Sequence, residues 1–273
     1  GPPGSGKSTL LRHFELQAAI DGLRDPAGAL TFYVSLNQFA PGLPDGPAPE
    51  PGAWLAERWA ARHPCLQTLD ELLADGRMVL LLDALNEMPH RDGADYRERV
   101  AAWKRYVLDL AGGGSGTRVV FSCRSLDYST PLSTPQLRVP QVQIEPLSDD
   151  KVRQYLARYC PGTRDAQWHT LLAGDLLEAL RWPIHLRLLT EEGAGVDDLP
   201  RGRAGLFTHF VRRALRRELG RDNPLLGQRA LLTERDLWRL VNAHSWRNEH
   251  DLPQGGVLLA KLAELAYRMQ ATS

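Results

Sequence analysis

Apolar and polar positions divide the chain into two halves of different rhythm. In the first half, short apolar runs alternate with stretches of helical spacing. Leu30-Thr31-Phe32-Tyr33-Val34-Ser35-Leu36 has the β-branched and aromatic content of a strand. Met78-Val79-Leu80-Leu81-Leu82 is continuously apolar, as a strand covered on both faces of a parallel sheet must be. Arg118-Val119-Val120-Phe121-Ser122 reads as the next strand and Val142-Gln143-Ile144 as the last. Helices are predicted over 8–20, 54–62, 66–74 and 96–110, the first with Leu10, Leu11, Phe14 and Ala18 on one side. The proline- and glycine-rich stretch 41–52 reads as a loop, and glycines in 112–116 close the fourth helix. After Pro146 only helical spacing remains, over 149–159, 167–180, 184–191, 205–219, 234–243 and 257–269, with no repeat period. The expected fold is an α/β parallel sheet flanked by helices and followed by an all-helical module. Ligands of such sheets sit at the carboxyl ends of the strands.

The candidate chemistry begins at the first residue. Gly1-Pro2-Pro3-Gly4-Ser5-Gly6-Lys7-Ser8-Thr9 is a full match to the phosphate-binding loop G-x-x-x-x-G-K-[ST]. Glycines let the backbone curl so that successive N–H groups form an anion nest, to which the following helix adds the positive end of its dipole. Lys7 is expected to bridge the β- and γ-phosphates of a nucleotide, and Ser8 to ligate Mg²⁺. The bland alternative is a glycine-rich turn that happens to precede Lys-Ser. A loop of this kind needs a buried strand immediately before it. None precedes Gly1, so the chain is expected to be a fragment of a longer protein.

The second motif stands where the apolar run ends, in Asp83-Ala84-Leu85-Asn86-Glu87-Met88-Pro89. An acid at the end of a buried strand suits a Mg²⁺ site opposite Ser8, and Glu87 can orient or deprotonate an attacking water. A strand-terminal Asp alone is weak, because Asp is common in turns; about 75 positions after the phosphate loop it defines a nucleotide site.

Composition narrows the remaining classes. The chain has 273 residues, 43% hydrophobic and 24% charged, enough for a sizeable core and two or three modules. Lys plus Arg and Asp plus Glu both number 33, so no global field recruits nucleic acid or anionic lipid. The local exception is Arg212, Arg213, Arg216, Arg217 and Arg221, read as a solvated or carboxylate-paired helix face. Cys65, Cys123 and Cys160 match neither zinc spacing nor a disulfide framework, which points to a reducing, cytoplasmic compartment. No apolar run reaches the length of a membrane span. His185 sits in an apolar run and reads as a satisfied, half-buried residue, and Trp182 as core.

Leu80-Leu81-Leu82-Asp83-Ala84-Leu85-Asn86-Glu87-Met88-Pro89 resembles the extended Walker B of NACHT domains, in which apolar residues precede D-G/A/S-L-D-E. NACHT proteins belong to the STAND class of signalling NTPases, related to AAA+ ATPases. Phe121-Ser122-Cys123-Arg124-Ser125-Leu126-Asp127-Tyr128 is similar to the family's strand with its sensor 1 arginine, Arg124. Ile144-Glu145-Pro146-Leu147-Ser148-Asp149-Asp150 looks like the junction to the helical domain. Leu180-Arg181-Trp182-Pro183-Ile184-His185-Leu186 resembles the turn whose proline packs on adenine, here Pro183. Without the family, Arg124 reads equally as a surface ion pair and Pro183 as a helix-start proline. Asn86 departs from the pattern, standing where the family usually has an acid; the lost charge should relieve like-charge repulsion on Glu87.

The resemblance implies a nucleotide-binding domain over 1–147, a helical domain over 148–221 and the start of a winged helix over 222–273, completed beyond Ser273. It implies an ATPase switch with ATP, ADP and Mg²⁺ as ligands. Exchange of ADP for ATP would permit opening and self-association, with effector and sensor domains lying elsewhere. In bacteria similar proteins are linked to defence against phage. Two other functions fit the motifs: a P-loop phosphotransfer kinase, and a nucleotide-locked scaffold that hardly turns over, which Asn86 favours.

Overall fold

The computed structural model describes residues 1–25, 28–40, 48–114, 116–125, 127–128, 131–159, 168, 176–190, 202–221, 223–224, 226, 231–242, 245–248 and 250–271. Outside them lie residues 41–47 of the expected loop, Ser115, Leu126 of the sensor segment, Cys160, most of the helix expected over 167–180, and both ends of the expected winged-helix segment 222–273. The chain divides into two compact units, Gly1–Glu145 and Pro146–Ser273.

The first unit is built on three parallel strands, β1 (Leu30–Ser35), β2 (Met78–Asp83) and β3 (Arg118–Phe121), in the order β1-β2-β3. Leu30 lies opposite Met78 and Ser35 opposite Asp83; on the other edge Leu82 lies opposite Phe121. Every residue of β2 is buried, as its unbroken apolar run requires of a central strand. Side chains alternate between the faces. Phe32, Val34, Leu80 and Leu82 point into the main core with Trp54, Leu55 and Trp59 of α2 (Pro51–Arg62), Leu69 and Leu72 of α3 (Leu69–Ala74), and Val100 and Trp103 of α4 (Gly93–Gly112). Tyr33, Val79 and Leu81 point the other way, towards Leu11 of α1 (Lys7–Gly22). By the same alternation Asp83 belongs to the α1 face, the face on which the phosphate loop begins.

Three helix starts lie away from the apolar periodicity because capping decides them. Pro51 occupies the first turn of α2. Asp92 accepts from the N–H groups of Ala94 and Asp95, starting α4 at Gly93. Thr68 and Glu71 form a reciprocal capping box that delays α3 to Leu69.

Two expectations fail. Val142-Gln143-Ile144 is not a strand: apolar composition does not make one without a ladder partner, β3 pairs only with β2 among the described residues, and Val142 is 95% exposed. Nor is α1 cleanly amphipathic. It has no buried residue, and Leu10, Phe14, Leu16 and Ile20 are exposed around its circumference; Leu11 alone joins the small core on the α1 face.

In the second unit the described elements are helical: α5 (Asp149–Tyr159), α6 (Leu176–Leu180), α7 (Pro183–Thr190), α8 (Gly202–Gly220), α9 (Glu234–Val241) and α10 (Leu258–Ala271). Val152, Leu156, Leu177, Leu180, Leu186 and Leu206 form one core, and Leu215, Leu232 and Leu240 a smaller one. The expected solvated or carboxylate-paired face holds for Arg217 and Arg221 but not for Arg212, Arg213 and Arg216. Arg212 donates to the Asp251 and Asn248 carbonyls, Arg213 to Leu188 O at 2.6 Å and Arg216 to Leu240 O at 2.7 Å. Their donors satisfy carbonyls left open at helix ends and turns, a packing role. Arg217 and Arg221 meet Glu218. His185 is satisfied as expected, its Nδ1 2.5 Å from Ala179 O and its ring edge-on to Phe207. Trp182 is half-buried and outside the core. No helix among the described residues is long and apolar enough to cross a membrane.

Candidate active site

The loop 1–6 takes its shape from two glycines with positive φ, Gly4 at 72° and Gly6 at 92°, a conformation costly to any residue with a Cβ. Alternation of such residues with right-handed ones turns consecutive N–H groups to one side, the geometry of an anion nest. Lys7 opens α1, and its ammonium lies inside the loop, donating to Gly1 O and Pro2 O, both at 2.8 Å, and to Ser5 Oγ at 3.4 Å. Partial burial, and then the nearby Arg124 guanidinium, lower the Lys7 pKa below its ordinary value. Asp83, Glu87 and Cys123 act on Lys7 in the opposite sense, and the Gly1 ammonium donates to Cys123 O at 3.4 Å, tying the loop to the end of β3. Ser8 and Thr9 follow in the exposed first turn of α1.

Asp83 is 4% exposed at the end of β2. Buried carboxylates need partners, and two hydroxyls on the same face supply them. Tyr33 Oη donates to Oδ2 at 2.8 Å and Ser122 Oγ to Oδ1 at 2.5 Å. Ser122 Oγ in turn accepts from Ala84 N–H at 2.9 Å. Burial, with the bond to Asp83 next, raises the Tyr33 pKa. Ala84 then has φ 61°, the one non-glycine with positive φ among the described residues, and turns the chain sharply after the acid. That backbone conformation favours glycine or asparagine over other residues. Tyr33→Phe keeps the packing on Leu81 but removes one of the two donors, and should destabilise the protein by about 1.5–3 kcal/mol in urea melts; an unchanged midpoint would show that Asp83 does not depend on that hydroxyl.

Past the turn, Glu87 is 41% exposed and forms an ion pair at 2.6 Å with Arg124, which follows β3. Arg124 also lies 3.9 Å from Asp127. Asn86 bridges the two loops: its Oδ1 accepts from Arg124 N–H at 3.1 Å and its Nδ2 donates to Asp127 Oδ2 at 3.0 Å. The main chains are tied as well, Leu85 N–H donating to Ser122 O at 2.8 Å and Ser125 N–H to Gly1 O at 3.1 Å. Burial pushes the Cys123 thiol up. The structure thus brings Lys7, Asp83, Glu87 and Arg124 together at the carboxyl ends of β2 and β3, beside Gly1–Ser5. Pro183 lies in the second unit, at the first residue of α7.

The residues fit a Mg²⁺–nucleotide. A glycine loop that opens a helix and holds an ammonium suits phosphate oxygens, and the serine hydroxyl and buried carboxylate are hard oxygen donors. Among the described residues no group of three or more His, Cys, Asp and Glu could hold a metal by itself. Sequence reasoning missed Tyr33, Ser122 and Asp127. Ser122 was within reach of register, since it follows Phe121, which pairs with Leu82, and so falls level with Asp83.

A parallel sheet, a glycine nest opening a helix and an acid ending the adjacent buried strand define a P-loop nucleoside triphosphatase. A family model described as the NACHT domain matches residues 1–162, more than half of the chain, and the chain belongs to that family. It is thereby a P-loop NTPase of the STAND type. No curated protein and no solved structure matches the chain.

Proposed function

We propose that this chain is the ATP-binding, slowly hydrolysing core of a signalling switch, in which exchange of ADP for ATP controls opening and self-association. The observation that carries the reading is the convergence of Lys7, Asp83, Glu87 and Arg124 beside the glycine loop. Residues 1–147 bind the nucleotide, 148–221 form a helical domain and 222–273 begin a winged helix. Gly1, Pro2, Pro3, Gly4, Ser5, Gly6 and Thr9 surround the phosphates, Lys7 bridges the β- and γ-phosphates, and Pro183 packs on the adenine. Ser8 and Asp83 would hold Mg²⁺, which when bound would supply positive charge against that developing on the phosphoryl oxygens. The family resemblance implies partner domains, self-assembly and a role in bacterial defence against phage, and the cysteine usage implies a reducing, cytoplasmic setting.

The Arg124–Glu87 pair gives the switch a physical basis. Both side chains are about two-fifths exposed, and such a pair is worth only ~0–1 kcal/mol. A γ-phosphate carries more charge than one carboxylate and can draw Arg124 away, releasing Glu87 to orient or deprotonate water. ADP lacks that group and leaves the pair closed. A switch requires such a difference between the two nucleotides.

Arg124→Ala tests this reading. ATP affinity should fall about tenfold or more, the loss of one charge-assisted contact, while ADP affinity changes little. Calorimetric titration of both nucleotides decides; equal losses would make Arg124 a structural ion pair. The same pair favours a second reading, a nucleotide-locked scaffold, because it occupies the candidate base. Single-turnover hydrolysis distinguishes the two.

A further inference from the structure

We infer that Asn86 is a positioning residue that holds the Arg124 loop against the end of β2, and that Asp127 is the acid this arrangement requires; the inference rests on the ATPase reading above. The Asn86 amide has one orientation. A backbone N–H can only donate and an ionised carboxylate only accept, so Arg124 N–H and Asp127 Oδ2 fix which end of the amide is oxygen and which nitrogen. No carboxylate can make both bonds. An acid at 86 would still accept from Arg124 N–H, but its second oxygen would face Asp127 at hydrogen-bond distance with no proton between them.

The negative charge missing at 86 is therefore present 41 positions later, at 127, on the far side of the same hydrogen bond. There it also faces the Arg124 guanidinium, opposite Glu87. Arg124 is thus held at three points: its backbone by Asn86, and its guanidinium by Glu87 and Asp127. Asn86 and Glu87 are adjacent, so the amide fixes the separation between the candidate base and the arginine that covers it. The pairing predicts that Asn and Asp can be exchanged between the two positions but not combined as two acids.

The test uses the whole chain with ATP, ADP and Mg²⁺, as wild type, Asn86→Asp, Asp127→Asn and the double exchange. The readouts are the ratio of ADP to ATP dissociation constants and the melting temperature without nucleotide. Asn86→Asp should lower the preference for ATP about tenfold, within the coupling expected of contacting residues. Asp127→Asn should cost less, since the amide oxygen it introduces still accepts from Asn86. The double exchange should return to within about threefold of wild type, because the carboxylate at position 86 then accepts from both Arg124 N–H and the amide at position 127. A double exchange as poor as Asn86→Asp, or an unaffected Asn86→Asp, overturns the inference while leaving the ATPase reading intact. Coupling seen in the melts but not in the nucleotide ratio also overturns the positioning role, leaving a structural tie. A wild type that binds neither nucleotide sinks the ATPase reading and the positioning role with it, and nucleotide-free melts then decide whether the pair itself exists.

Discussion

Glu87→Gln is expected to leave ATP binding largely intact and to slow hydrolysis about 10²–10⁴-fold, the usual contribution of a positioned base. A glutamine there keeps a carbonyl oxygen that can accept from Arg124, so the loop arrangement at 2.6 Å has a substitute acceptor. What disappears is the capacity to take a proton. Binding and turnover should therefore separate: ATP affinity by titration within a few-fold of wild type, single-turnover hydrolysis nearly abolished. If the variant turns over like the parent, Glu87 is not the base, and the scaffold reading gains from the ion pair that occupies it.

Lys7→Ala should abolish tight nucleotide binding. The ammonium is held by Gly1 O, Pro2 O and Ser5 Oγ within the loop that is to receive the phosphates. Alanine removes that cation and leaves two carbonyls and a hydroxyl converging on an anion. A ligand at about 100 times its dissociation constant adds roughly 2.7 kcal/mol to folding stability. Wild type should show that ATP-dependent rise in melting temperature and Lys7→Ala should not. An equal shift in both proteins would place the nucleotide elsewhere.

Much of this site was legible from contiguity alone. The glycine loop works through its own backbone, so its residues need no distant partner to be recognised. The apolar run 78–82 signalled a buried parallel strand because both faces of such a strand are covered, and Asp83 marked its end. Chemistry carried by neighbours in sequence is readable in sequence. Helix bodies were likewise visible, whereas the starts of α2, α3 and α4 depended on Pro51, Thr68 and Asp92 rather than on apolar spacing.

Partners across the fold were another matter. Composition made a strand of Val142-Gln143-Ile144, but a strand is a set of hydrogen bonds to a neighbour, and no ladder forms there among the described residues. Apolar spacing made α1 amphipathic, but which of its residues find a core depended on the sheet beneath it, and only Leu11 does. The same holds at the site. Tyr33 in β1 and Ser122 just after β3 come to Asp83 from 50 and 39 positions away, and Asp127 comes to Asn86 from 41. The phosphate loop, the terminal acid and the class of ligand were written in the residues themselves, since each depends on local backbone and residue type. Folding alone settled which hydroxyls hold that acid and which carboxylate answers Asn86, because strand order and register, not chain proximity, bring those groups within hydrogen-bond distance.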